Sequence, residues 1–162
     1  MKNNLIKLTL GLSAVFLVLI MADTGSAQPR RKARGKTYTK AEVGNIIKRV
    51  ETRVDNFVEN FDESLDNSNL DGTEREDELM EKARKLESAT DELRREFDRS
   101  DTWIENKAEV RACLNHASDI NRTMKNRKFG AKTESNWAKV RYELNTLAKI
   151  YNLPVVGSSA YN

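Results

Sequence analysis

Residues 67 to 78, NSNLDGTEREDE, nearly spell a calcium-binding loop. Asn67, Asn69, Asp71, Gly72 and Glu78 fall at positions 1, 3, 5, 6 and 12 of its twelve-residue pattern. Such a loop grips a hard cation through oxygen ligands, and its affinity is tuned by ligand charge. Here positions 1 and 3 are neutral, and position 8, ordinarily apolar, is Glu74. Thr73 and Glu76 also make a capping box inside the stretch. A helix starting at Thr73 and a loop wrapping an ion compete for the same backbone. The residues therefore read as a turn between two helices.

Cys113 and His116, the sole cysteine and the sole histidine, stand three apart on one helical face. A zinc ion there needs two further ligands from another helix. Haem is the other chemistry to test, with His116 paired to Met80 or Met124. In antiparallel neighbouring helices Met80 and His116 sit about one turn apart in height. Covalent attachment would need C-x-x-C-H, which is absent, and no Glu-x-x-His pair marks a di-iron centre. His116, Met80 and Cys113 are thus the candidate metal or haem ligands. The expected roles are a flank histidine, a packed methionine and a buried thiol, with no cofactor.

One histidine without a marked serine or cysteine elbow does not support nucleophilic catalysis, and no glycine loop cradles phosphate. The expectation is a protein that is not an enzyme. Trp103 and Trp137 lie near helix starts, where core capping is their usual fate. Asn121-Arg122-Thr123 matches a glycosylation acceptor, poorly placed within a helix.

The elements that must position these groups are helices. From Thr37 to Asn152 there is no proline, and glycine occurs only at 44, 72 and 130. Apolar residues recur by threes and fours: Ile47, Val50, Val54, Phe57, Phe61; then Leu79, Ala83, Leu86, Thr90, Leu93, Phe97. Val110, Leu114, Ala117, Ile120, Met124 form a third stripe, and Trp137, Val140, Leu144, Leu147, Tyr151 a fourth. Each is one face of a bundle helix. Thr39 with Glu42, Thr73 with Glu76, and Thr102 with Glu105 mark starts, and Thr133 opens the fourth segment. Gly72 and Gly130 suit helix ends, and Pro154 closes the last helix. The stripe shifts phase after Phe97, which predicts a break near Ser100 or Asp101. Short connections make neighbours antiparallel. The predicted fold is all-α, an antiparallel up-down-up-down four-helix bundle over 38–153, with a loose tail at 154–162.

The bundle is preceded by two further segments. Lys2 and Lys7 precede a charge-free run from Leu8 to Ala22, followed by small residues at Gly25 and Ala27. This is the plan of a signal peptide over 1–27, cleaved after Ala27, with an uncleaved anchor as the alternative. Residues 28–37 form a basic arm carrying Arg30, Arg31, Lys32, Arg34 and Lys36 without an acid, expected to be disordered. Past the arm the chain has 21 basic and 24 acidic residues, so the body is mildly acidic. The expected protein is exported to the periplasm or medium. It is a non-catalytic bundle that binds an unknown protein partner or an anionic envelope surface through the arm, with no specific nucleic acid. A ligand or haem carrier, and a chaperone-like helper, are the alternatives.

Overall fold

The computed structural model describes residues 32–33 and 36–161. Strands β1 (Lys32–Ala33) and β2 (Lys36–Thr37) pair as a minimal antiparallel ladder. Helices α1 (Lys40–Asp66), α2 (Glu74–Arg99), α3 (Lys107–Asn126) and α4 (Ala131–Ile150) follow. The folded body is all-helical, with α1 and α3 each packed against both α2 and α4. Among the described residues no helix is long and apolar enough to cross a membrane. The signal-peptide reading lies outside the described residues.

The helix starts follow the threonines in three cases of four. The Thr39 hydroxyl accepts from the Glu42 N–H at 3.2 Å, and the Glu42 carboxylate accepts from the Thr39 N–H at 2.8 Å. Thr73 accepts from the Glu76 N–H at 3.3 Å, but the Glu76 carboxylate turns back to the Gly72 N–H at 2.7 Å. Thr102 and Glu105 close a box that opens a 3-10 turn, Trp103–Asn106, leading into α3. Thr133 is different. The fourth helix starts earlier, at Ala131, with Gly130 at the cap and φ of +87°. Thr133 is inside the helix, and its hydroxyl donates to the Asn60 carbonyl at 3.0 Å. Its side chain ties α4 to α1 and so is not available to cap α4. The second helix ends at Ser100, where the phase shift places a break.

The four stripes meet in one core. Val50, Val54, Phe57, Phe61, Leu86, Leu93, Val110, Leu114, Val140 and Leu144 are fully buried. Burying each such side chain contributes about 1.5–3 kcal/mol. Thr90 sits in that core and donates to the Glu87 carbonyl at 2.8 Å, so its hydroxyl is satisfied by its own helix. Gly44 lets α1 approach α2: a Cβ there would lie 2.9 Å from Cε1 of Phe97.

Aromatic pairs close both ends. Lys40 donates to the Ser100 carbonyl and lies over the Phe97 ring, 5.4 Å from its centroid, joining the start of α1 to the end of α2. Trp103 stands edge-on to Tyr151 at 5.3 Å, and the Tyr151 hydroxyl donates to the Trp103 carbonyl at 2.6 Å. At the other end Phe57 meets Trp137 at 5.1 Å and Phe61 meets Phe129 at 4.9 Å. Past Pro154, Val156 is buried, and its N–H donates to the Asn145 carboxamide at 2.8 Å.

Candidate functional site

The two flanks of α1 carry opposite charge. Asn45, Lys48, Arg49, Thr52, Arg53 and Asn56 recur by threes and fours, so they share the side of α1 that turns towards α4. With Asn136 and Lys139 of α4 they line a groove of about 650 Å³. Beneath it lies Glu143 of α4, its side chain only 4% exposed. Arg49 grips this carboxylate with two bonds, Nε to Oε1 at 3.1 Å and Nη2 to Oε2 at 3.2 Å. Arg53 adds a third contact, Nε to Oε1 at 3.3 Å.

A carboxylate this buried is costly without partners. Two guanidiniums offset that cost and are themselves held in place. They stay reachable, at 48% and 35% exposure. Lys48 and Lys139 line the same groove without touching Glu143, so four cations gather here against the one carboxylate that the arginines hold, a surplus of three positive charges. Tyr142 stands one turn beyond Lys139 and is 70% exposed, a large aromatic left in solvent beside the cations. The arrangement suits an anionic surface with some apolar depth.

The flank of α1 towards α2 is acidic. Burial first, then the neighbouring Asp91, pushes the Asp55 carboxyl above its usual range. Burial likewise raises Glu87, with repulsion from Asp55 and Asp91 adding to it and Arg84 partly offsetting it. The body's mild net acidity is therefore the sum of an acidic side and a basic side. Counting charges missed this basic side. The signal was present in the phase of Lys48, Arg49 and Arg53 on α1.

Sequence reasoning singled out other residues, and the structure places them as follows. Met80 and His116 line one groove of about 750 Å³ with Arg84 and Lys85. Met80 is buried and His116 half-buried. Cys113 does not join them. It is fully buried, and its Sγ donates to the Ala89 carbonyl at 3.2 Å. Burial, chiefly, pushes its thiol up to about 12, so a thiolate ligand is not available at neutral pH. Met124 is partly buried against the core. Arg30, Arg31 and Arg34 lie outside the described residues, and of Lys32 and Lys36 only the backbone ladder is described.

In the near-calcium stretch, residues 74–78 are helical. Carboxylate oxygens of Asp66, Asp71 and Glu76 do lie within 4.8 Å of one another, two of the residues exposed. Asp71 alone among them occupies a ligand position that the loop pattern matched, and Glu76 already accepts from Gly72. Asn121 is buried, its Oδ1 accepting from Trp137 at 3.4 Å and from Arg141 at 3.3 Å, and this burial leaves a glycan no room.

No family model, curated protein or solved structure matches the chain, so the functional reading rests on its own residues.

Proposed function

We propose that the protein is an exported, non-catalytic helical bundle that binds an anionic envelope surface. The observation that carries this reading is the α1–α4 groove, with four cations set around one buried glutamate. The basic arm, Arg30 to Lys36, adds five positive charges ahead of the first helix in the chain. The charge-free run from Leu8 to Ala22 with its small-residue flank supports export. An up-down-up-down order is part of the proposal. It is supported by the short connections, by Lys40 meeting Ser100, and by Thr133 meeting Asn60. Four parallel-lying helices would present Lys48, Arg49, Arg53 and Lys139 as one continuous strip.

The test is cosedimentation of residues 28–162 with vesicles, anionic against neutral. Near an anionic membrane each lysine contributes about 1 kcal/mol. Lys48→Ala with Lys139→Ala should therefore weaken binding roughly thirtyfold. Added salt should weaken it further, and deletion of 28–36 should lower what remains. Equal binding by the double variant would reject the groove.

A second reading has one observation in its favour: Met80 and His116 share a groove, as a haem or ligand carrier would require. A visible absorption band abolished by His116→Ala would establish it, and a colourless protein that takes up no haem would dismiss it.

A further inference from the structure

A second pocket lies further along the seam between α1 and α4, and its chemistry differs from that of the groove. It encloses about 490 Å³ at the end of α1, the turn after it and the start of α4. One wall is rich in hydrogen-bonding groups, Asn60, Ser64, Asn67, Ser68 and Asn69, and its one carboxylate, Glu63, is paired to Lys132 of the other wall. The other is the loop from Arg127 to Gly130 and the first turn of α4.

That first turn is open. The first N–H of α4 to find a helical acceptor is that of Glu134, bonded to the Gly130 carbonyl at 3.0 Å. The N–H groups of residues 131 to 133 precede it and have no helical acceptor. Gly130 supplies no side chain to cap them, and nothing lies within 4 Å of where its Cβ would be. Three cations stand around the opening. Lys132 is paired to Glu63 at 2.9 Å, Lys128 approaches Glu134 at 3.7 Å, and Arg127 makes no ion pair among the described residues. Free amides at a helix start, with cations beside them, suit an oxyanion.

A second observation asks for more than an anion. Asn60 is only 6% exposed, and its Nδ2 donates to the Asn56 carbonyl, yet its Oδ1 is buried without a partner. An acceptor left bare in this way is unfavourable until a donor reaches it. The pocket thus pairs donors for an oxyanion with an acceptor for a hydroxyl.

We propose that this pocket binds a phosphate ester of a polyol. The phosphate would sit on the amides of Ala131, Lys132 and Thr133 beside Arg127. A hydroxyl of the same molecule would donate to Oδ1 of Asn60, and the neighbouring Ser and Asn side chains would take the remaining hydroxyls. The site does not depend on the α1–α4 groove, since no cation of the groove lines it.

The experiment is an NMR titration of isotope-labelled 28–162 with glycerol 3-phosphate, inorganic phosphate and glycerol. Saturable shifts at the amides of 131–133 and at the Asn60 carboxamide are expected, strongest with glycerol 3-phosphate and absent with glycerol. Ala131→Pro deletes one amide donor at a position where proline suits a helix, and should weaken binding about tenfold. Asn60→Leu should abolish the preference for glycerol 3-phosphate over inorganic phosphate. Lys48→Ala with Lys139→Ala should leave the titration unchanged, which separates this site from the groove. Displacement by phosphatidylglycerol vesicles would assign a lipid headgroup as the source, and resistance to them a soluble ester; both support the site. Shifts scattered over surface lysines, or unchanged binding by Ala131→Pro, would overturn it.

Discussion

Replacing Glu143 by Gln separates the two roles assigned to this residue, because it should lower stability and raise binding together. The carboxylate receives two bonds from Arg49 and one contact from Arg53, and it is nearly out of reach of water. A hydrogen bond to a charged group contributes about 1.5–3 kcal/mol. Both arginines are partly solvated, so screening reduces the total. A loss of about 2 kcal/mol follows for Glu143→Gln, which keeps the shape and removes the charge. For a domain of this size that lowers Tm by about 8 °C. The groove gains one net positive charge at the same time. That adds about 1 kcal/mol towards an anionic surface, or roughly fivefold in affinity. Circular dichroism melts give the first quantity and vesicle cosedimentation at fixed ionic strength the second. An unchanged Tm would mean that Glu143 does not organise the arginines. Weaker binding by the less stable variant would refute the reasoning that surplus charge governs the contact.

Gly44→Ala should destabilise on the order of 1 kcal/mol, since crowding Phe97 outweighs the gain in helix propensity; a higher urea midpoint would mean that the ring yields. Cys113 should resist alkylation in the native protein and react once unfolded. Its folded pKa is raised to about 12 from 9.0, so its contribution is present below pH 9 and is lost as pH rises towards 12. Stability measured across that window should fall less steeply in Cys113→Ala, and parallel curves would contradict this. Asp55→Asn should raise Tm at neutral pH, because the raised Asp55 pKa means that the charged form is the disfavoured one in the fold; a lower Tm would show an unrecognised partner. Millimolar calcium should leave Tm unchanged, as Glu76 is engaged with Gly72; a rise would restore the ion-binding reading of residues 67–78.

The helices were legible because burial enforces a period. A residue such as Val54 or Leu144 has to face inward, and its neighbours three and four away face inward with it. Caps were legible where a threonine meets a glutamate locally, as at Thr39. Thr133 misled because its hydroxyl is taken by Asn60, seventy-three residues away, a contact that no local pattern records. The groove was hidden for a similar reason. Glu143 looks like any acid on a charged helix until α1 brings Arg49 and Arg53 over it. Helix heights put Met80 and His116 about one turn apart, and both line one groove. Spacing put Cys113 on one helical face with His116, while its burial and its bond to the Ala89 carbonyl keep it out of the groove, a packing outcome that spacing alone does not record. The unpaired Oδ1 of Asn60 depends on packing alone and has no signature in the sequence.

The most direct measurement of the central claim is hydrogen exchange of the mature chain with and without anionic vesicles. The account predicts new protection on the strip that carries Lys48, Arg49, Arg53 and Lys139, and none on the flank that carries Asp55, Glu87 and Asp91. Protection confined to the acidic flank, or none anywhere on the helices while the chain is bound, would contradict it.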